Sequence, residues 1–130
     1  MNGNKRFLFD TNAVIALLNG DSAVAALWGS GEWAGVSVIS VLEFLSWPGL
    51  QPEQETLFRR FLDRVSIVNL DWTEHHLIAQ AISFRKAKGL KLPDAIVLAS
   101  AFASQATLVT RDEKLLIADE LAQPGSGLRY

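Results

Sequence analysis

The sequence predicts an α/β protein in which helices cover both faces of a parallel β-sheet. Short runs rich in β-branched and aromatic residues alternate along the chain with longer segments that carry apolar residues at helical spacing. The 130 residues include 49% hydrophobic and 20% charged side chains, without a repeat or a long linker, which is typical of one globular domain spanning residues 1–130. Strands that alternate with helices pair in parallel, because each crossover helix returns the chain to the same end of the sheet.

The first half of the chain begins with a strand that ends at an acidic residue. The run RFLF is followed by Asp10, and the next segment is apolar up to Asn19-Gly20, a pair that typically ends a helix. Further along, GVSVIS is rich in β-branched residues, and Pro52 precedes an apolar stripe at helical spacing. The elements predicted for this half are a strand over residues 6–9, helices over 12–18 and 22–28, a strand over 35–40, helices over 41–47 and 52–65, and a strand over 66–70.

The second half contains the most apolar helix of the chain. Thr73 is a suitable N-cap for a helix that ends at Gly89. The segment PDAIVLASAFA is apolar on nearly all sides, so it should form a buried helix, and ATLVT predicts the fourth strand over residues 106–110. The residues after Asp119 match no motif, and the final segment GSGLRY shows no clear strand.

The composition restricts both the class of protein and the class of site. The chain has no cysteine, which excludes disulfides and thiolate metal sites. The apolar run over residues 13–18 is too short for a signal peptide, and no run approaches the length of a membrane span, so we expect a cytoplasmic protein without membrane contact. A net charge of −2 argues against nucleic-acid binding unless bound metal neutralises several acids.

Acidic and hydroxyl-bearing residues stand where predicted strands end or the next helix begins. They are Asp10 after the first strand, Ser40 and Glu43 after the second, Asp94 at the start of the buried helix, and Thr110 and Asp112 after the fourth strand. Because binding sites in open parallel sheets form at the carboxyl ends of the strands, we expect these side chains to converge. The three aspartates, taken singly, also fit ordinary helix caps or turns, whereas Glu43 has apolar neighbours in SVLEFL.

A cluster of these four acids would require a cation. Carboxylates that lie close together repel one another and raise one another's pKa unless a cation joins them. Oxygen-only clusters suit Mg²⁺ or Mn²⁺, which keep several waters and take further ligands from a substrate phosphate. Such ions activate water and neutralise charge that develops on phosphate oxygens. The joint pattern therefore predicts a Mg²⁺ site for phosphate-ester chemistry, with Mn²⁺ as an alternative ion.

Four acidic motifs of the chain resemble, in order, those of PIN-domain ribonucleases, and most closely those of VapC-type toxins of bacterial toxin–antitoxin pairs. The motifs are FLFDTNAVIALL, SVISVLEFL, KLPDAIVLASA and TLVTRDEKL. The resemblance runs from about Phe7 to Leu116 and implies a three-layer α/β/α sandwich with metal-dependent endoribonuclease activity. It also implies an antitoxin partner and a homodimer.

The resemblance implies a role for each matching residue. Asp10 and Asp94 would hold the principal Mg²⁺, with Asp112 bound directly or through water, and Glu43 would bind a second ion or orient the attacking water. The polar residues expected to support the carboxylates are Asn12, Ser40 and Thr110.

Basic residues near the Gly89 turn precede Asp94 in the sequence and bring positive charge toward the predicted site. Another basic residue stands directly beside Asp112. On these grounds, the residues predicted to contact RNA are Arg85, Lys88, Lys91 and Arg111. Basic side chains on helices are also commonly just solvated, and that is the interpretation we favour for the cluster at residues 59–64.

Two other functions remain open at this point. A phosphatase of the haloacid dehalogenase type also begins with a strand that ends in Asp, but it uses a second Asp two residues later as an acid. Asn12 occupies that position here and has no carboxylic proton to donate. A binding module that retains the acids without cleaving RNA is the other alternative, and a cleavage assay separates it from a nuclease.

Overall fold

The computed structural model describes residues 5–122, 128 and 130. Within these residues a four-stranded sheet is surrounded by seven helices. In chain order, the elements are β1 (Arg6–Phe9), α1 (Thr11–Leu18), α2 (Ser22–Ser30), β2 (Trp33–Ser37), α3 (Val38–Leu45), α4 (Pro52–Leu62), β3 (Ser66–Val68), α5 (His75–Lys88), α6 (Leu92–Ala103), β4 (Thr107–Val109) and α7 (Glu113–Ala122).

The sheet is entirely parallel, with strand order β3-β2-β1-β4. Leu8 of β1 aligns with Gly35 on one side and with Leu108 on the other, so β1 lies at the centre. The chain leaves β1 toward β2 on one side and later returns to the other side as β4. A crevice therefore opens at the carboxyl ends of β1 and β4, which is where open α/β sheets form their sites.

Two hydrophobic cores lie on opposite faces of the sheet, because successive side chains of a strand point to opposite faces. Leu8 and Leu108 face a core built with α5, α6 and α7. Phe7, Phe9 and Val109 face a second core built with α1, α2, α3 and α4. Helices thus cover both faces, and the predicted α/β/α sandwich with a parallel sheet is confirmed.

Aromatic side chains fill the core on the side of α1–α4. Phe44 of α3 stacks on Phe58 of α4 with 3.9 Å between ring centroids, and Phe58 is 1% exposed. Trp28 of α2 lies 5.2 Å from Phe61 and 6.2 Å from Phe9. These contacts attach α2, α3 and α4 to the sheet and place α3 beside the carboxyl end of β1.

The second strand is shifted relative to the sequence-based prediction. We expected a strand over residues 35–40, but β2 covers Trp33–Ser37 and the chain turns into α3 at Val38. The Ser37 hydroxyl accepts a hydrogen bond from the Ile39 amide at 3.2 Å and caps α3, which ends the strand early despite the β-branched residues that follow. Consequently Ser40 lies within a helix and does not directly follow a strand.

Two further predictions were also wrong in detail. Thr73 does not cap α5, because its amide and hydroxyl both donate to Asp71 Oδ1 in a preceding turn. Helix α5 instead begins at His75 after Glu74, and it ends at Gly89 as expected, with Gly89 in the left-handed conformation at φ +64°. The predicted strand over residues 66–70 is shortened to β3.

The C-terminal part contains structure that the sequence pattern did not predict. Helix α7 follows β4 and buries Leu115 and Ala118 against the core on the side of α5 and α6. Leu128 then forms a parallel bridge to Val109, with its amide donating to the Leu108 carbonyl at 2.8 Å. Among the described residues, no single helix is long and apolar enough to cross a membrane, and α1 and α2, which would pass by length together, are bent by 104° at their junction.

Candidate active site

Asp10 is both a helix cap and a site residue. Its Oδ1 accepts a hydrogen bond of 2.7 Å from the Ala13 amide and so caps α1. Its Oδ2 accepts a short hydrogen bond from the Thr110 hydroxyl, which follows β4. Asp10 is only 5% exposed and Thr110 is fully buried. The first turn of α1 and the residue that follows β4 therefore fix the orientation of this carboxylate from two sides.

Glu43 reaches the same region from α3 and is held by the start of α1. The Thr11 hydroxyl donates a hydrogen bond of 2.8 Å to Glu43 Oε1. Thr11 is the first residue of α1 and Glu43 lies near the end of α3, so the contact joins the two helices at the mouth of the crevice. Glu43 is exposed, so it is not a buried charge despite its apolar neighbours in the sequence.

Asp94 and Asp112 are held at helix starts on the other side of the crevice. Asp94 lies in the first turn of α6, after Pro93, and it is not the cap, because that position belongs to Lys91. Asp112 Oδ1 accepts from the Lys114 and Leu115 amides at 2.9 and 3.1 Å and caps α7. The cap that sequence analysis considered for Asp112 is thus present, and the carboxylate still faces the crevice.

The four predicted acids line one cleft, together with Asn12. The residues that line it are Asp10, Thr11, Asn12, Glu43, Asp94, Val97, Asp112 and Leu115. They come from the carboxyl ends of β1 and β4 and from α1, α3, α6 and α7, which are far apart in sequence. Six of the eight lining residues are polar, whereas Val97 and Leu115 belong to the hydrophobic core.

Burial dominates the electrostatics of Asp10. Loss of solvent is the main cause that raises the pKa of Asp10 from 3.8 to about 6, and the nearby carboxylates of Asp112 and Asp94 contribute to the same shift. The hydrogen bonds from Thr110 and Ala13 oppose this shift but do not cancel it. Without a cation, Asp10 thus carries its charge at a considerable cost.

The pKa of Asp94 is also raised. Burial, then the carboxylates of Asp112 and Glu43, raise its pKa, while Lys91 and Lys114 lower it. The acids of the cleft therefore interact with one another as a group, and a divalent cation would relieve the repulsion that their charges create.

The donor set of the cleft fits a hard divalent cation. It offers carboxylate, amide and hydroxyl oxygens, which are the ligands that Mg²⁺ and Mn²⁺ prefer. No three acidic or histidine side chains of the described residues already have the spacing of a complete metal site. This spacing is compatible with Mg²⁺, which commonly uses one or two carboxylates and keeps several waters.

Other residues selected from the sequence have different surroundings. Ser40 is 3% exposed, its hydroxyl has no hydrogen-bond partner among the described residues, and it is not one of the residues that line the cleft. Arg111 is held by Asp21, at 2.8 Å, and by the Tyr130 carbonyl, at 3.1 Å, with its guanidinium stacked on the Tyr130 ring. Arg85 donates to the Leu90 carbonyl at 2.7 Å, while Lys88 and Lys91 lie on either side of Gly89.

Two residues near the acids were not predicted from the sequence. Thr11 is one of them, and its position at the start of α1 directs its hydroxyl to Glu43. Lys114 was not selected, yet its charge acts on Asp94 and its ammonium donates to the Gly89 carbonyl at 2.9 Å. A signal was available for Lys114, since it follows Asp112 closely in TLVTRDEKL.

Comparisons with known proteins identify similar chains. The family model described as PIN domain matches residues 7–121. A chain of a toxin–antitoxin complex from Klebsiella pneumoniae is similar in structure, with a TM-score of 0.71 and 31% identity over 91% of this chain and 92% of that chain. No protein with a curated description matches the chain.

Two more distant solved structures share the fold. VapBC2 from Rickettsia felis, bound to a promoter DNA fragment, has a TM-score of 0.65 and 18% identity over 96% of this chain and 97% of that chain. DNA-bound VapBC from Salmonella typhimurium has a TM-score of 0.65 and 15% identity over 97% of both chains. The family match over residues 7–121 and the 31% identity to the Klebsiella chain show that this chain belongs to the PIN-domain family, whose members are nucleases.

Proposed function

We propose that the chain is a metal-dependent endoribonuclease and the toxin of a toxin–antitoxin pair. The observation that carries the proposal is the cleft in which Asp10, Glu43, Asp94 and Asp112 come together within a PIN domain. The similarity to a chain of the Klebsiella pneumoniae toxin–antitoxin complex, at 31% identity, supports the role as a toxin. Membership of a nuclease family also favours phosphodiester hydrolysis over the phosphatase alternative.

In the proposed mechanism, Asp10 and Asp94 bind Mg²⁺ or Mn²⁺, and Asp112 contributes directly or through water. When bound, the ion supplies an activated water and neutralises charge on the phosphate that is attacked. Thr110 and the Ala13 amide orient the two oxygens of Asp10, so the carboxylate is fixed before the ion and the RNA arrive. Asn12 provides an amide at the mouth of the same cleft.

Glu43 has a separate role in this proposal. Its Oε1 accepts from Thr11, which leaves Oε2 as an acceptor for a proton of the attacking water. Glu43 is exposed, so RNA and solvent reach it without a rearrangement of α3. The predicted second ion is an alternative partner for the same oxygen.

The substrate in this proposal is RNA, and basic residues near Asp94 contact its backbone. Lys88 and Lys91 flank the Gly89 turn, and Arg85 lies one turn earlier on α5. Arg111 already binds Asp21 and Tyr130, so its contribution to RNA binding would come from the remaining exposed part of its guanidinium. RNA contact remains a prediction for all four residues.

An antitoxin partner is part of the proposal. A hydrophobic cavity between α1, α3 and α4 is lined by Ile15, Leu18, Asn19, Phe44, Trp47, Gln54 and Leu57. Trp47 is 50% exposed and Leu57 is 47% exposed, so both offer apolar surface to a partner at this cavity. We propose that an apolar helix of the antitoxin covers this cavity. Homodimer formation and a cytoplasmic location remain predictions.

The test of the enzymatic function is incubation of the purified protein with mixed RNAs in Mg²⁺, in Mn²⁺ and in EDTA. We expect new internal cleavage products with either metal and none in EDTA. Asp10→Asn should abolish cleavage because it removes a metal-binding charge. Asp21→Asn is the matched control, since Asp21 also caps a helix, α2, but lies outside the cleft. Cleavage by Asp10→Asn at the wild-type rate, or activity in EDTA, would refute the proposal.

A further inference from the structure

The acidic cleft creates a difficulty for a polyanionic substrate. Four carboxylates line it, and burial together with mutual repulsion raises the pKa values of Asp10 and Asp94. An RNA strand that crosses this cleft carries one negative charge per nucleotide. Positive groups beside the cleft must therefore attract the phosphates that adjoin the one being cleaved.

Two lysines lie beside Asp94, although they come from different parts of the chain. Lys91 is the N-cap residue of α6, in the same turn as Asp94. Lys114 lies in the first turn of α7, and its ammonium donates to the Gly89 carbonyl at 2.9 Å. This contact holds the Lys114 ammonium against the α5–α6 turn, and the charges of both lysines act on Asp94.

Local helix stability does not explain either lysine. Serine, threonine, aspartate and asparagine are the favoured N-caps, and Lys91 makes no side-chain cap hydrogen bond. A cation in the first turn of α7 also opposes the helix dipole, which favours anions at that end. Both residues are exposed, so their ammonium groups are available to a ligand. The positive ends of α6 and α7 add to the same field.

The basic residue on the other side of Asp112 is arranged differently. Arg111 is directed toward Asp21 and Tyr130, on the side of the sheet that carries α1–α4. Lys114 is directed toward Gly89, on the side that carries α5–α7. The side chains of Arg111 and Lys114, which flank Asp112 in the sequence, thus point to opposite layers. The charge of Arg111 is largely neutralised by its salt bridge with Asp21.

We propose that Lys91 and Lys114 form a phosphate-binding subsite for the nucleotide next to the scissile phosphodiester of a single-stranded RNA. The subsite rests on the proposed ribonuclease function and defines how its substrate lies. The RNA backbone crosses the cleft over the α5–α6 turn, on the side of α5–α7. The subsite binds the backbone and does not read the base, so it contributes affinity for any sequence.

The test measures RNA binding without cleavage. In the Asp10→Asn background, the dissociation constant of a short fluorescent single-stranded RNA is measured over a series of salt concentrations. Each lost phosphate contact lowers the slope of log K against log salt by about 0.7, which corresponds to about fivefold weaker binding at 0.1 M salt. We expect this change for Lys91→Gln and for Lys114→Gln. The double variant should lose about twice as much slope, which corresponds to about 25-fold weaker binding, and Lys114→Arg should bind RNA almost as the wild type does.

Arg60→Gln is the control that loses the same charge, because Arg60 is exposed on α4, in the layer opposite α5–α7. Thermal unfolding checks that the Lys114→Gln fold survives loss of the Gly89 contact. If both lysine variants show the same salt slope as Arg60→Gln, the proposal that Lys91 and Lys114 form a subsite is wrong. Failure of the ribonuclease proposal is a different result, namely an absence of RNA cleavage by the wild-type protein with Mg²⁺ or Mn²⁺.

Discussion

The Thr11 hydroxyl donates a hydrogen bond of 2.8 Å to Glu43 Oε1 across 32 residues of sequence. The bond connects the first residue of α1, next to Asp10, with an exposed carboxylate on α3. An exposed glutamate otherwise samples many rotamers, and fixing it before substrate binds reduces the entropy lost in the reaction. The bond therefore makes Glu43 a defined part of the cleft, although α3 itself is anchored elsewhere, through Phe44.

Thr11→Val should lower kcat for RNA cleavage by about tenfold, because a hydrogen bond to a charged group contributes about 1.5–3 kcal/mol and the exposed site reduces this. KM and the melting temperature should change little. Thr11→Ser should restore kcat, since it keeps the hydroxyl. Thr56→Val is the control, because Thr56 donates to a backbone carbonyl on α4 outside the cleft. An unchanged kcat for Thr11→Val would show that Glu43 does not need this contact.

The raised pKa of Asp10 predicts an unusual pH dependence of stability in EDTA. Folding favours the protonated acid, because the pKa is about 6 in the folded state and 3.8 in the unfolded state. The stability that protonated Asp10 contributes is fully present below pH 3.8, its pKa in the unfolded state, and is lost as the pH rises to about 6. Near neutrality, the ionised carboxylate lowers the free energy of unfolding by about 3 kcal/mol. Asp10→Asn should remove this cost and stabilise the metal-free protein at neutral pH, with a smaller gain at acidic pH.

Urea or thermal unfolding in EDTA measures the effect of Asp10→Asn. In the same experiment, Asp21→Asn should act in the opposite direction. Hydrogen bonds from Val24 and Ala23 and the charge of Arg111 lower the pKa of Asp21, so its contribution is present above the unfolded pKa and lost as the pH falls below it. Its removal should destabilise the protein at neutral pH. Equal effects of the two substitutions at neutral pH would contradict the electrostatic description of the cleft.

Leu57→Glu should disrupt assembly with the antitoxin while leaving RNA cleavage by the free protein unchanged. Leu57 lines the cavity between α1, α3 and α4, and a charge there would have to be desolvated by an apolar partner helix. The measurement is co-purification of the two proteins after co-expression. Ile82→Glu is the matched control, since Ile82 is also 47% exposed but lies on α5, in the opposite layer. Loss of assembly with Ile82→Glu and not with Leu57→Glu would place the partner elsewhere.

Ser40→Ala should stabilise the protein slightly or leave the free energy of unfolding unchanged. The hydroxyl is buried without a hydrogen-bond partner among the described residues, so its removal relieves a desolvation penalty of about 1 kcal/mol. Ser100→Ala is the matched control, because Ser100 is equally buried but donates to the Ile96 carbonyl at 2.7 Å. RNA cleavage should be the same for Ser40→Ala and wild type. A selective loss of cleavage would instead restore Ser40 as a residue that supports the carboxylates.

The periodicity of the sequence predicted most elements because each buries a distinct apolar pattern. The run before Asp10 alternates between two cores, and residues 95–101 of α6 are all buried, as their composition predicted. The shift of β2 could not be predicted in this way. Residues Val38 and Ile39 favour a strand by local preference, but the Ser37 cap and the packing of α3 against α4 direct them into a helix.

The same distinction between local sequence pattern and tertiary contacts applies to the candidate site. The order of the acidic motifs was sufficient to select Asp10, Glu43, Asp94 and Asp112, since parallel strands bring their carboxyl ends to one edge. The contacts of Thr11 and Lys114 were not visible in the sequence, because each joins elements that are distant along the chain. Arg111 was selected for its position beside Asp112, and only the folded structure shows it bound to Asp21.

The sequence by itself determined the α/β class, the parallel sheet and the four acids, because local periodicity and the position of residues at strand ends are properties of the chain alone. Tertiary structure decided which side chains meet. It joined Thr110 to Asp10 and Thr11 to Glu43, and it separated Arg111 from Lys114 into opposite layers. These outcomes depend on packing between distant segments, which fixes the direction of each side chain only when both cores are assembled.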